Sequence, residues 1–178
     1  DRGANALLDF DAIPDELIRA HLHLTGHSMA ASDGSAFARF VRRAKDAGAS
    51  VSVSPGSVAY IDALGPERFA QVIAGADVLF ASRAEATALA GTSDPEAIAA
   101  RIDAPTLVMT NGAEGVIVDR MRVPAVPASV VVDPTGAGDA FCAGFLARWV
   151  RDADAVAAAR AGTQVAARAV AVVGGRPT

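Results

Sequence analysis

The chain has 178 residues, of which 52% are hydrophobic, and a net charge of −4 from 16 lysine and arginine against 20 aspartate and glutamate residues. This length suits one domain with a buried core, the composition excludes a disordered chain, and the acidic balance provides no basic surface for nucleic acid or an anionic membrane. No run of about eighteen residues is free of polar interruption, so no membrane span is expected. No signal-peptide pattern opens the sequence, and Cys142 alone cannot form an intrachain disulfide. These features predict a cytoplasmic protein.

Apolar runs alternate with helical patterns along the chain. In chain order they predict a strand at 21–26, a helix at 33–47, a strand at 51–54, a two-part helical stretch ending at Gly75, a strand at 77–80, helices at 83–90 and 95–102, strands at 106–110, 115–118 and 129–133, and helices at 139–151 and 153–171. Thr92, Ser93 or Asp94 is the expected cap of the helix at 95–102. The alternation predicts a single α/β domain over residues 1–178, with a mostly parallel central sheet and helices on both faces. The segment around Asn111 and Gly112 predicts an antiparallel pair.

Two common nucleotide-binding patterns are excluded. Lys45 is the only lysine, and no Gly-Lys-Ser/Thr surrounds it, so the chain has no Walker A loop. A dinucleotide-binding Gly-x-Gly-x-x-Gly pattern starting at Gly136 needs a small residue where Phe141 stands.

The loop at 133–139, Asp-Pro-Thr-Gly-Ala-Gly-Asp, is the strongest candidate for chemistry. It lies between a predicted strand and a predicted helix, and Gly136 and Gly138 allow backbone N–H groups to converge at the helix N-terminus, where an anion is favoured. Asp139 places a carboxylate beside them, a combination that suits phosphoryl transfer. The alternative is that Asp139 only caps the helix and the glycines only form a tight turn.

His21, His23 and His27 form a second cluster. On a strand, His21 and His23 share a face with a spacing that can bind zinc, but no cysteine and no obviously placed carboxylate completes a ligand set. Strand packing and polar contacts are the favoured interpretation. Cys142 is expected to be a small core residue rather than a nucleophile.

The sequence resembles the ribokinase-like (PfkB) carbohydrate kinases in several segments. Residues 133–141 are similar to the C-terminal signature of the family, residues 107–115 to its nucleotide-binding strand and turn, and residues 80–86 occupy the place of its Asn-x-x-Glu motif. Residues 172–178 resemble the closing Gly-x-x-Pro segment, and residues 1–6 a mid-chain stretch. The resemblance spans all 178 residues but corresponds only to the later part of a family member, in which the sugar-binding strands and the lid come earlier.

The resemblance implies a role for most of these motif residues. Asp139 would be the general base on the acceptor hydroxyl, and Gly136, Ala137 and Gly138 would form the anion hole for the transferred phosphate. Arg2 would approach the substrate. The implied nucleotide-binding set is Ser82, Glu85, Thr110, Gly112, Gly115 and Gly162.

Two metal ions are also implied by the resemblance. Glu85 would organise Mg²⁺ through water, which this cation tends to retain. Many family members hold a monovalent cation behind the anion hole, and an all-oxygen ligand set suits K⁺. Its ligands here would be Asp133, Thr135, Ala169, Val172, Gly174 and Thr178. The chain departs from the family pattern at Ser82, where an asparagine is usual, and at Ser54, where many members carry an aspartate.

The sequence therefore predicts an ATP-dependent kinase that transfers the γ-phosphate to a hydroxyl of a sugar or sugar acid, with ATP, Mg²⁺ and in many members K⁺. The competing interpretation is a nucleotide-binding family member without turnover, in a regulatory or binding role. Ribose, fructose and nucleosides stay open as substrates. The homodimer contacts usual in the family lie in the lid, and no nucleic-acid or membrane partner is expected.

Overall fold

The computed structural model describes residues 3–29 and 34–174. Its strands are β1 (His21–Thr25), β2 (Ser50–Ser54), β3 (Val78–Ser82), β4 (Thr106–Thr110), β5 (Val116–Val118) and β6 (Met121–Val123). Its helices are α1 (Gly26–Met29), α2 (Ser35–Asp46), α3 (Val58–Leu64), α4 (Pro66–Ile73), α5 (Arg83–Ala90), α6 (Pro95–Arg101), α7 (Ala137–Asp152) and α8 (Ala155–Ala169). No helix in this part of the chain is both long and apolar enough to cross a membrane.

The strands form a six-stranded sheet in the order β1-β2-β3-β4-β5-β6. β1 to β3 run parallel, whereas β5 runs antiparallel to both β4 and β6. The predicted α/β fold, with a central sheet flanked by helices, is confirmed, and so is the antiparallel pair at the β4–β5 turn. The chain divides into two compact units, residues 1–107 and residues 108–178, which are described in turn.

In the first unit, α2 is built around one apolar face. Phe37, Phe40, Val41 and Ala44 recur at helical spacing and are all buried. Phe10 covers this face, with its ring centroid 5.6 Å from Phe37 and 5.1 Å from Phe40. This contact fixes the N-terminal segment against α2.

The single lysine has a structural role in the first unit. Lys45 Nζ, near the end of α2, donates to Asp77 Oδ1 at 2.6 Å and Oδ2 at 2.7 Å. Asp77 Oδ2 also accepts the backbone N–H of Val51 at 2.8 Å. The ion pair therefore ties α2 to the start of β3 and to β2.

In the second unit, α7 and α8 approach closely because two glycines lie between them. A Cβ on Gly144 would lie 2.6 Å from the Val165 side chain, and one on Gly162 would lie 2.7 Å from the Phe141 ring. Neither glycine can carry a side chain without separating the helices.

Most predicted elements agree with the structure within a few residues. Asp94 is the cap of α6, accepting the N–H of Ala97 at 2.9 Å. The predicted strand at 129–133 is wrong, because this segment has no strand partner among the described residues. Val130, Val131 and Val132 are 53%, 68% and 51% exposed, so β-branched composition alone did not make a strand here.

The sequence pattern also missed β6. Asp119 and Arg120 connect β5 to β6, and both have positive φ, at 46° and 75°. Two-residue hairpin turns of this kind favour asparagine or aspartate followed by glycine. Arg120 occupies the position where glycine would have signalled the turn.

Candidate phosphate-binding and catalytic site

The loop before α7 leaves the N-terminus of that helix open. Gly136 adopts a left-handed conformation at φ 76° and ψ 1°, and no described side chain caps the helix. The turn is closed by the N–H of Ala137, which donates to the carbonyl of Pro134 at 3.2 Å. The positive end of the helix dipole and the next residues of the first turn, Gly138 and Asp139, are exposed to solvent.

Asp139 lies in the first turn of α7 and is exposed. Because this helix has no side-chain cap, the carboxylate is not used as one. It belongs to the same turn as the exposed N–H groups, and Gly136 forms the tight turn that the sequence allowed, whereas Gly138 lies within the helix. This arrangement places an acceptor for a proton next to donors for an anion.

Asp133 fastens this loop to the turn after α8. Its Oδ1 accepts the N–H of Thr135 at 2.9 Å, and its Oδ2 accepts the N–H of Gly174 at 3.0 Å. The Thr135 hydroxyl and the backbone N–H groups of Gly174 and Thr135 hold the pKa of the Asp133 carboxyl below its usual value. The N–H groups of Val132 and Asp133 both donate to the carbonyl of Val170, at 2.8 and 3.2 Å.

Part of the oxygen set suggested for a monovalent cation is thus brought together within the second unit. Asp133, Thr135 and Gly174 are joined by hydrogen bonds, while the carbonyl of Ala169 accepts the N–H of Val172 at 3.3 Å. Carboxylate and carbonyl oxygens are the donors that a hard cation prefers, so the set fits K⁺ in its chemistry. Thr178 lies outside the described residues.

The turn between β4 and β5 spans five residues rather than the two of a simple Asn-Gly hairpin. Asn111 N–H donates to the Gly115 carbonyl at 2.9 Å, and a short 3₁₀ turn fills Gly112–Glu114. Gly115 is buried at φ 97°, where a Cβ would lie 2.2 Å from the carbonyl oxygen of Val123. Gly112 is exposed and Thr110, at the end of β4, is half-buried, so these two have accessible surface for a ligand.

Gly162, which belongs to the suggested nucleotide-binding set, is buried in α8 against Phe141. An open cavity of about 540 Å³ lies farther along the same helix, between residues 126–129 and the C-terminal half of α8. This volume is in the range of small-molecule sites. Sequence patterns did not reveal it, because it arises where an irregular segment passes over a helix.

Ser82 and Glu85, in the first unit, cap α5 reciprocally. Glu85 Oε2 accepts the N–H of Ser82 at 2.7 Å and its hydroxyl at 2.8 Å, and Ser82 Oγ accepts the N–H of Glu85 at 3.3 Å. Both bonds to the carboxylate end on Oε2, so within the described part of the chain Oε1 is left for a metal-bound water. The carboxylate fits the suggested Mg²⁺ role, and Ser82, in place of the usual asparagine, sets its orientation.

Two further residues from the sequence analysis are Ser54 and Arg2. Ser54 is the half-buried last residue of β2. Arg2 lies outside the described residues.

The histidines do not form a metal centre in the structure. His21 and His23 bond to serines of β2, and His27 lies edge-on to Tyr60 at 5.1 Å between ring centroids. The described ranges contain no group of three or more histidine, cysteine, aspartate or glutamate residues placed to hold a metal ion. Polar strand contacts, the favoured interpretation, are confirmed for His21 and His23, while Cys142 is half-buried on α7 rather than fully in the core.

Stability should fall as the pH drops through about 6.5, the usual imidazole pKa, because of His21. Burial lowers the pKa of His21, and the negative charge of Asp77 offsets part of this effect. Above pH 6.5 the ring is neutral in both states; below it the unfolded chain gains a proton that the folded chain resists. Urea unfolding at pH 7.5 and 5.5 should show a smaller pH dependence in His21→Gln than in wild type, with His27→Gln as the control. Equal dependence in wild type and His21→Gln would contradict the assignment.

Comparison with known proteins identifies the family to which this chain belongs. The chain matches the model of the pfkB family carbohydrate kinases over residues 17–178, and it belongs to that family. It is 33% identical over 157 residues to the ATP-dependent ribose-1-phosphate kinase of Halopiger xanaduensis, a match that covers 85% of this chain and 49% of that protein. The family resemblance indicated by the motifs is confirmed.

Two solved structures share the fold. A probable sugar kinase from Rhizobium etli CFN 42 superposes with a TM-score of 0.88 and 24% identity, and adenosine kinase from Sinorhizobium meliloti with a TM-score of 0.87 and 25% identity. Each match covers 97% of this chain and 56% of the other. The chain thus spans about half the length of the relatives that it matches.

Proposed function

We propose that these residues form the nucleotide-binding and catalytic-base portion of a longer, cytoplasmic, ATP-dependent kinase that phosphorylates a hydroxyl of a sugar or sugar-containing molecule. The observation that carries the proposal is the open N-terminus of α7. Its first-turn N–H groups have no side-chain cap, Gly136 makes the turn that exposes them, and Asp139 is exposed beside them.

Each part of this arrangement has a role in phosphoryl transfer. The Asp139 carboxylate accepts the proton of the acceptor hydroxyl as its oxygen forms the new bond to phosphorus and the bond to the ADP oxygen breaks. The N–H group of Gly138, with the helix dipole, stabilises the negative charge on the transferred phosphoryl oxygens, while the N–H of Ala137 closes the turn by donating to Pro134. Because these donors are backbone groups, no lysine is needed, which agrees with the use of Lys45 in an ion pair with Asp77.

The metal ions belong to the proposal as well. Glu85 would hold Mg²⁺ through water, and Mg²⁺ would supply charge neutralisation for the phosphates. Asp133, Thr135 and Gly174 would contribute to a K⁺ site behind the loop. The hydrogen bonds that gather these three residues support that position.

The acceptor class is tested by measuring ATP consumption. The full-length protein should be assayed against a panel of sugars, sugar acids, sugar phosphates and nucleosides, since the relatives named above include a kinase of ribose-1-phosphate and one of adenosine. Turnover with one of these classes supports the proposal. ATP binding without turnover on any of them would favour the alternative of a nucleotide-binding protein, which the Ser82 and Ser54 departures motivate.

Gly138→Ala should separate stability from activity. A Cβ at Gly138 meets no atom within 4 Å, and alanine is the better helix former, so the free energy of unfolding should rise by about 0.5–1 kcal/mol. The same methyl group would occupy space at the proposed anion hole and hinder the approach of the transferred phosphate. The kcat should therefore fall by at least about tenfold. Urea unfolding and steady-state kinetics on one preparation measure both. A variant that is more stable and fully active would place the transferred phosphate elsewhere.

A further inference from the structure

The turns that follow β1 and β2 approach each other closely at the carboxyl ends of these strands. Gly26 is the residue after β1, and a Cβ on it would lie 1.6 Å from the carbonyl oxygen of Pro55 in the second turn. Any side chain at this position would therefore separate the two turns. Thr25 and Ser54, the last residues of the strands, are partners in the parallel register. Ligands of open α/β sheets bind outside the carboxyl ends of the strands, so a ligand is expected in this region.

A second glycine allows the His27 ring to lie against the turn after β2. A Cβ on Gly56 would lie 2.9 Å from His27 Nδ1 and 3.0 Å from its Cε1. Gly56 also has φ 82°, a left-handed conformation that residues with a side chain rarely adopt. The imidazole thus occupies the space that a side chain at position 56 would fill. The backbone conformation and the ring contact both favour glycine here.

Tyr60, on α3, forms an aromatic corner with His27. The two ring centroids are 5.1 Å apart and the ring planes are inclined at 69°. His27 is exposed and Tyr60 is half-buried, so both rings keep surface that a ligand can reach. Among the described residues, no group hydrogen-bonds to the imidazole or to the phenol hydroxyl. We refer to these two rings as the His27–Tyr60 corner.

The geometry of the corner suits a flat aromatic ligand. Because the two ring planes are steeply inclined, a planar ring that stacks on one of them presents its edge to the other. Stacked and edge-to-face arrangements are both favourable for aromatic pairs. The imidazole and the phenol hydroxyl can in addition hydrogen-bond to polar atoms on the edge of the ligand. A nucleobase offers both a π face and a polar edge, whereas a free sugar has no π face.

The adjacent strand ends provide groups that suit a sugar. Thr25 and Ser54 are both half-buried, so each keeps some accessible surface. A hydroxyl group both donates and accepts hydrogen bonds, as the hydroxyls of a sugar also do. A ligand in which a sugar is joined to a base would therefore match the strand ends with one part and the aromatic corner with the other.

We propose that the His27–Tyr60 corner binds the base of a nucleoside acceptor. This inference rests on the proposed kinase function, and it narrows the acceptor from sugar-containing molecules in general to nucleosides. The sugar of the acceptor lies toward the ends of β1 and β2, and its base lies against the two rings. The corner determines which acceptor binds and takes no part in the proton transfer assigned to Asp139.

Calorimetric titration of the full-length protein with adenosine, uridine and ribose tests the corner without requiring turnover. In wild type, at least one of the two nucleosides should bind at least about tenfold more tightly than ribose. His27→Gln and Tyr60→Ala should each weaken binding of that nucleoside by at least about fivefold, the lower range for the loss of one base–aromatic stack. The affinity for ribose should stay the same in both variants, because ribose does not reach the rings.

Tyr60→Phe and Leu17→Ala are the matched controls. Tyr60→Phe keeps an aromatic ring, so the affinity for the nucleoside should stay within about threefold of wild type. Leu17 is 66% exposed and precedes the amino end of β1, so removing its apolar side chain should change neither affinity. If Tyr60→Ala does not fold, His27→Gln at the exposed position provides the test.

A wild-type protein that binds both nucleosides no more tightly than ribose would overturn the proposal. Equal losses of nucleoside and ribose affinity in the ring variants would do the same, because they would indicate a structural role. The kinase function is judged separately by ATP consumption. Turnover of any acceptor that the ring variants do not affect selectively would keep the kinase function and remove the corner as a base site. Ring-dependent nucleoside binding without turnover would support the corner and contradict the kinase function.

Discussion

Replacing Asp139 with asparagine is expected to reduce kcat for phosphorylation by about 10²–10⁴-fold, the usual contribution of a general base. Asparagine has nearly the same shape and keeps a polar side chain in the first turn of α7, but its amide cannot accept the hydroxyl proton. Because the backbone N–H groups of the loop are unchanged, the KM for ATP should stay within about threefold. Steady-state kinetics on the full-length protein with its best acceptor measures both constants.

Asp62→Asn is the matched control for this experiment. Asp62 is also an exposed aspartate on a helix, on α3 in the first unit, so the same loss of charge should leave kcat unchanged. If Asp139→Asn retained wild-type kcat, Asp139 would not be the base, although the anion hole could still be tested through Gly138→Ala. If kcat fell equally in both variants, net charge rather than position would explain the loss.

Replacing Gly26 with alanine is expected to destabilise the fold by about 3 kcal/mol or more, the upper range for forcing atoms into a packed site. A Cβ on Gly26 would lie 1.6 Å from the carbonyl oxygen of Pro55 and 2.6 Å from its carbonyl carbon. These are backbone atoms at the end of β2, so no side-chain rotation can relieve the overlap. The turns after β1 and β2 would have to separate. Urea unfolding compares the midpoints of variant and wild type.

The control for Gly26→Ala is Gly138→Ala, which adds the same methyl group where no atom lies within 4 Å. Recovery of soluble, folded Gly138→Ala together with loss of folded Gly26→Ala would attribute the effect to the contact with Pro55. A Gly26→Ala protein with wild-type stability would show that the two turns separate freely, contrary to the close approach in the structure.

Local patterns predicted most of the fold because they report local physical preferences. The apolar spacing of Phe37, Phe40 and Val41 predicted the helix whose face they bury, and Asp94 predicted the start of α6. The segment at 129–133 misled the same reasoning, because a strand needs a partner and valines cannot show whether one is present. Its amides bond instead to a carbonyl at the end of α8.

The sequence by itself determined the family, the loop at 133–139 and the carboxylate of Asp139, because these depend on residue type and spacing along a continuous segment. Only the tertiary structure showed that the N-terminus of α7 has no side-chain cap and that Glu85 bonds to Ser82. It also showed that Gly162 packs against Phe141 and that the rings of His21 and His23 both contact Ser52. Each of these depends on which atoms approach one another after folding. Residue spacing can suggest such contacts, but packing and hydrogen-bond partners decide them.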